Sequence, residues 1–241
     1  LTATPSTNFG EMESKGLDLS ITYNKSFSED VYTQLRGNLT YATNEILVYD
    51  EVSYPDDLSY RSRIGNSANQ VYGYIAERLF IDDEEARNSP TQFGEYTGGD
   101  IKYRDVNGDG YISENDRVPI GYPTTPEIVY GLGGTVGYKN FDFSLFFQGS
   151  ARSSFFINPE NISPFVINGS AQNGLLKVIA DDHWSESNRD SYAFWPRLSD
   201  EFNENNNQTS TWWMRDGSFI RLKSIEAGYN VSEKFTSKMG L

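Results

Sequence analysis

The sequence predicts an all-β fold, a piece of a large antiparallel transmembrane β-barrel with long external loops. Three observations point there. Apolar and polar residues alternate over stretches longer than ordinary strands. The connections between those stretches are alternately very short and very long. No apolar run approaches the length of a membrane helix, which leaves a membrane barrel open because barrel strands show only alternation.

The first strand is expected at about 14–27. Leu17, Leu19, Ile21 and Tyr23 fall on one face, and Asp18, Ser20, Thr22 and Asn24 on the other. Ser28-Glu29-Asp30 reads as a tight turn. The second strand, about 31–44, sets Val31, Thr33, Leu35, Gly37, Leu39 and Tyr41 against Tyr32, Gln34, Arg36, Asn38 and Thr40. A connection of about 45–124 follows, with a short helix near 82–88. It is far longer than a hairpin loop, and such loops are usually functional or disordered.

A second pair is expected at about 127–138 and 141–150, around a Lys139-Asn140 turn. Ile128, Tyr130, Leu132, Val136 and Tyr138 share a face, and so do Phe141, Phe143, Leu145 and Phe147. The glycines between them suit strong curvature and close approach inside a barrel. Another long connection, about 153–216, carries all four tryptophans and a short helix near 172–181. The fifth strand is expected at about 218–230. Ile225, Ala227 and Tyr229 take the apolar face and Ser224, Glu226 and Gly228 the polar one. The same phase puts Arg221 and Lys223 on the apolar face near the loop end, where long basic chains snorkel.

Antiparallel neighbours place all tight turns at one end and all long loops at the other. That is the layout of outer-membrane barrels, with periplasmic turns and extracellular loops. A soluble β-sandwich also explains the alternation; strand length favours the barrel. Five strands do not close a large barrel. The chain opens in polar sequence at Leu1 and stops at Lys238-Met239-Gly240-Leu241 without a further strand, so both ends read as cut.

Composition narrows the function. Acidic residues number 34 against 20 basic, a net charge of −14, which disfavours a nucleic-acid partner. The absence of cysteine excludes disulfides and thiolate metal sites. His183 is the only histidine, so no histidine dyad or zinc cluster can be built, and no catalytic residue is expected. Asn168-Gly169-Ser170 fits a glycosylation pattern, which means little if the source is bacterial.

One segment has metal-ligand spacing. In 105–116, Asp105, Asn107 and Asp109 occupy positions 1, 3 and 5 of a calcium-type loop, Gly110 the sharp turn, the Tyr111 carbonyl position 7 and Asp116 position 12. The usual terminal Glu is a shorter Asp, no flanking helix pair is evident, and Ile112 is placed to anchor the loop. A structural calcium in an external loop is expected; an ion-free polar turn explains the same residues. Trp184, Trp195, Trp212 and Trp213 are expected in loop packing or an aromatic girdle rather than on a sugar path, and Arg197 in Trp195-Pro196-Arg197-Leu198 tied to a carboxylate.

Several blocks in order carry a family resemblance: Glu13 to Leu19, Gly99 to Gly110 continued by Asn115-Asp116-Arg117, Tyr138 to Asp142, Phe146-Phe147-Gln148-Gly149, Trp195 to Leu198 and Phe219 to Ser224. The chain resembles the C-terminal barrel region of SusC/RagA-type TonB-dependent outer-membrane transporters of the Bacteroidota. The resemblance implies a barrel of about 22 strands around an N-terminal plug, integral to the outer membrane. It implies a SusD-like surface lipoprotein as lid, the TonB complex acting through a plug this chain lacks, the remaining barrel segments as partners, and oligosaccharide or peptide as cargo. The competing functions are a calcium-stabilised glycan-binding β-domain, soluble or surface-attached, and a calcium-dependent glycoside hydrolase.

Overall fold

A computed structural model describes residues 9–168 and 171–231; Gly169, Ser170 and the last residues 238–241 lie outside these. In chain order the elements are β1 (Glu11–Ser26) and β2 (Val31–Val48), then β3 (Val71–Gly73), β4 (Ala76–Leu79), helix α1 (Asp83–Arg87), β5 (Ile101–Tyr103) and β6 (Val118–Ile120). The long strands β7 (Ile128–Tyr138) and β8 (Phe141–Ala151) follow. The rest are β9 (Ser154–Phe156), β10 (Ile167–Asn168), β11 (Ala171–Gln172), helix α2 (Lys177–Asp181), β12 (Met214–Asp216) and β13 (Phe219–Tyr229).

The chain forms two compact units. One is built from Met12–Glu45, Thr125–Ser153 and the segment from Asp216 onward; the other from Ile46–Thr124, Ser154–Arg215 and the segment through Glu11. The first unit is a five-stranded open sheet in the order β1-β2-β7-β8-β13. β2–β7, β7–β8 and β8–β13 are antiparallel pairs. The link from β1 to β2 is too short for anything but a hairpin, and its Phe27 amide closes on the Val31 carbonyl at 2.8 Å. Lys139 turns at φ 54, its amide reaches the Asp30 carbonyl at 2.7 Å, and Asn230 reaches the Asn140 carbonyl at 2.7 Å. These bonds gather the tight turns at one end of the sheet, and the long connections leave from the other. The strand–turn asymmetry read from the sequence is therefore the architecture.

Register sorts the side chains into two faces. Leu35, Gly134, Leu145 and Ile225 form one row, Leu132, Phe147 and Leu222 another, and Tyr138, Phe141 and Tyr229 a third. Apart from the half-buried Leu145, the large apolar residues of these rows are exposed, Leu132 by 63 % and Ile225 by 59 %, as is Leu17 on β1 by 60 %. The opposite face carries Gln34, Arg36, Asn38, Thr135, Asp142, Ser144, Gln148, Arg221 and Glu226 among its rows. This sheet is a piece of a larger antiparallel barrel.

Arg221 and Lys223 do not share the apolar face. A β-bulge between Leu222 and Ser224 inserts Lys223 as an extra residue, so Arg221 stands opposite Gln148 on the polar face while Leu222 joins Phe147. Strict alternation run backwards from Tyr229 loses one step at the bulge. The Lys223 ammonium donates to Gln148 Oε1 at 2.8 Å.

The second unit holds the hydrophobic core. Tyr74, Leu79, Ile101, Tyr103, Ile112, Ile179, Trp184, Ala193, Trp195 and Trp213 form one buried cluster, with Phe93, Ile157, Ile162, Phe194, Leu198 and Trp212 packed on it. Full burial of each large apolar side chain stabilises by roughly 1.5–3 kcal/mol. The long connections are thus not loose loops but the packed half of the chain.

Candidate functional site

The two long connections are sewn together by backbone hydrogen bonds. Tyr74 and Thr209–Thr211 exchange bonds of 2.9 and 3.0 Å, Leu79 donates to Ser191 at 2.8 Å, and Arg197 donates to Gly99 at 2.9 Å. Two charged centres lie within this unit. Burial works against the Glu85 carboxylate, but hydrogen bonds from Arg78, the Ile81 amide and Lys102 outweigh it and hold its pKa down at about 2. Asp100 is fully buried, and burial raises its pKa despite the Arg197 guanidinium, whose Nε lies 2.9 Å from Oδ1. Asn203 and Asn206 also donate to Asp100 Oδ1, and the Thr97 amide to Oδ2. The carboxylate that holds Arg197 is therefore Asp100. Burial pushes the Tyr74 phenol up to about 12, with the Glu114 carboxylate adding to the shift.

The tryptophans serve packing: Trp184, Trp195 and Trp213 are buried, and Trp213 Nε1 donates to the Asn206 carbonyl at 2.8 Å. His183 Nδ1 sits 3.0 Å from the Ile179 carbonyl at the end of α2. A cleft of about 340 Å³ is lined by Ile157, Asn158, Glu160, Gln208 and Trp213 among others. No sequence motif announces it, because its walls come from distant segments. Glu85 and Asp100 escaped sequence reading for the same reason: their partners are set by folding, not spacing.

The 105–116 loop is compact. Asp105 accepts the Gly108 and Gly110 amides at 2.7 and 2.8 Å, Asn107 Oδ1 accepts the Asp109 amide at 3.1 Å, and Asp109 accepts the Tyr111 amide at 2.8 Å. Gly110 turns at φ 86, a conformation that strains a residue with a Cβ. Asp116 is buried, and its oxygens accept the Val106 amide at 2.7 Å and the Ser113 amide at 2.8 Å. Ile112 anchors the loop in the core cluster. Among the described residues no three His, Cys, Asp or Glu side chains gather as a metal cluster. A cation here would need the neutral oxygens of Asn107 and the Tyr111 carbonyl beside Asp105 and Asp109. Asp116 has lone pairs left after its amide bonds. An all-oxygen donor set of this kind fits a hard ion such as calcium.

No helix among the described residues is long and apolar enough to cross a membrane. The sheet's apolar rows define the class to which the fold belongs, that of large strand-built barrels. No protein-family model matches the chain. It is 27 % identical to the TonB-dependent receptor P3 of Formosa agariphila, over 97 % of this chain and 23 % of the relative. It is 25 % identical to the TonB-dependent receptor SusC of Bacteroides thetaiotaomicron, over 92 % of this chain and 21 % of the relative. The chain thus spans less than a quarter of these curated relatives. Its fold matches a solved structure of the RagAB peptide transporter at a TM-score of 0.65, with 17 % identity over 95 % of this chain and 24 % of that one. The chain resembles the SusC/RagA-type TonB-dependent receptors over nearly all of its length.

Proposed function

We propose that this chain supplies barrel wall and outer loops to a TonB-dependent importer of oligosaccharide or peptide in the bacterial outer membrane, working with a SusD-like surface lipoprotein. The role is transport rather than catalysis. The observation that carries the reading is the sheet's inverted burial. Its apolar rows, Leu132 and Ile225 among them, stand exposed on one face while polar residues occupy the other. A water-soluble protein rarely exposes so continuous an apolar surface, whereas lipid rewards it. The long connections then form the external unit that meets cargo and lid, and the cleft beside Trp213 lies in that unit. In this reading a structural calcium, held by Asp105, Asn107, Asp109, the Tyr111 carbonyl and Asp116, pins the external unit.

The test is purification of the full-length protein from outer membranes in mild detergent, with mass spectrometry of every chain recovered. Co-purification with a surface lipoprotein and binding of an oligosaccharide or peptide are expected. Recovery as a water-soluble monomer overturns the reading. For the ion, proteolysis of the same preparation is followed with and without chelator. Faster cleavage within 105–116 on chelation, reversed by calcium and absent in D109A, is the expected result. Equal cleavage removes calcium from the account.

A further inference from the structure

The polar face of the sheet gathers three cations that meet no carboxylate among the described residues. Arg36 reaches from β2 across β7, and its guanidinium carbon lies 4.7 Å from the Phe146 ring centroid on β8. Lys223, in the bulge of β13, donates to Gln148 Oε1 at 2.8 Å. Arg221 stands opposite Gln148 in register, with its guanidinium 5.6 Å from the Phe219 ring. Phe146 and Gln148 are two residues apart on one strand face, ~7 Å, so the charges crowd together. All three cations are exposed. Among the described residues their partners are two rings and an amide oxygen, none of which carries a negative charge.

Sequence builds this arrangement. Gly133 lies between Arg36 and Phe146 in register, and a Cβ there would stand 2.6 Å from the Phe146 ring. The missing side chain lets the ring lie down and Arg36 lie over it. A guanidinium stacked by its face keeps its edge N–H donors free, the geometry that grips a carboxylate with two parallel hydrogen bonds. The carboxylates of this face lie elsewhere. Glu226 is opposite Ser144 and Asp142 opposite Gly228, both toward the tight turns, and Asp18 on β1 accepts from Thr40. Arg36 lies level with the middle of β7 and β8, and Arg221 and Lys223 lie just toward the loop end from there. In a chain of net charge −14, anionic cargo would otherwise be repelled from this wall.

We infer that Arg36, Lys223 and Arg221 form an anion subsite on the lumenal wall that takes the carboxylate of an acidic cargo. This rests on the transporter reading above and adds the cargo's charge to it. An acidic peptide and a uronic-acid oligosaccharide present the same group, and the experiment separates them.

The test uses the full-length transporter with its lipoprotein partner in nanodiscs. Binding is measured for a glutamate-rich pentapeptide, its glutamine counterpart, trigalacturonate and the neutral galactotriose. The R36Q/K223Q double variant is compared with the natural protein, after both show the same heat-resistant barrel on gels. The expected result is a preference for one acidic probe over its neutral counterpart that falls about tenfold in the variant, the sum of two partly exposed charge contacts. The preference should fade by about 0.5 M salt. The acidic probe that shows it names the source. Neutral probes bound as tightly as acidic ones by the natural protein, or a preference untouched by the variant, overturn the subsite and leave the transporter standing; in the second case the cations serve the plug instead. Failure of the natural protein to bind any probe overturns both.

Discussion

The two units of this chain obey opposite rules of burial. In the loop unit Trp213, Tyr103, Phe80 and Leu79 are all but removed from solvent, and a buried carboxylate, Asp100, is answered by Arg197, Asn203 and Asn206. In the sheet, Leu17, Leu132 and Ile225 stand exposed with nothing packed over them. The loop unit follows the burial rule of a protein in water, with its apolar side chains inside. The sheet is stabilised by backbone ladders and by whatever covers its apolar face. One chain is thus written for two solvents, and the segments a barrel layout labels loops contain the ordinary hydrophobic core.

Among the described residues Trp213 is the largest fully buried side chain of the loop unit. W213A should remove about 3–5 kcal/mol from the loop unit, as for any fully buried large aromatic, together with the bond to the Asn206 carbonyl. Limited proteolysis of the full-length protein in membranes should then cut within 46–124 and 154–215 while the barrel keeps its heat-resistant gel mobility. Loss of both together would mean that the units do not divide their stability as their packing implies.

A charge on the apolar face gives the next largest effect. L132R places a guanidinium in the row of Leu132, Phe147 and Leu222. In lipid it should cost about 2–4 kcal/mol at mid-depth. On a water-facing surface the same change would fall within about 0.5 kcal/mol. Urea titration of the refolded full-length barrel in liposomes reads the difference. A neutral result would put water, not lipid, against this face.

How much of this was legible follows from the same contrast. Period-2 alternation is a local signal, so the faces of β1, β2, β7 and β8 could be read directly. It failed at Lys223 because a bulge leaves no mark in composition, only a skipped step in pairing. The loop unit was legible in parts: Arg197 called for a carboxylate, the tryptophans for packing, and Ile112 for an anchor. Its short paired strands β3 with β6 and β4 with β5 were not, because three or four residues give no period. Nor was the Glu85 centre, where Arg78 and Lys102 come from opposite strands of the β4–β5 pair.

That centre supplies the smallest and most specific prediction. Glu85 has a folded pKa near 2 against 4.5 for the free side chain. A depressed carboxylate contributes stability that is complete above the unfolded value and is lost as pH falls toward the folded one. The loop unit should therefore weaken between about pH 5 and pH 2, by roughly 2 kcal/mol once partial exposure is allowed for. Asp100 acts with the opposite sign: burial raises its pKa, so protonation relieves a cost as acid is added. The tryptophan fluorescence of the loop unit, followed through an acid titration of the full-length protein, reads the balance. E85Q should flatten the slope over that window and lower stability at neutral pH, because Arg78 and Lys102 then share an uncharged partner. An unchanged slope in E85Q would assign the acid response to Asp100 or another carboxylate and remove Glu85 as the unit's electrostatic clamp.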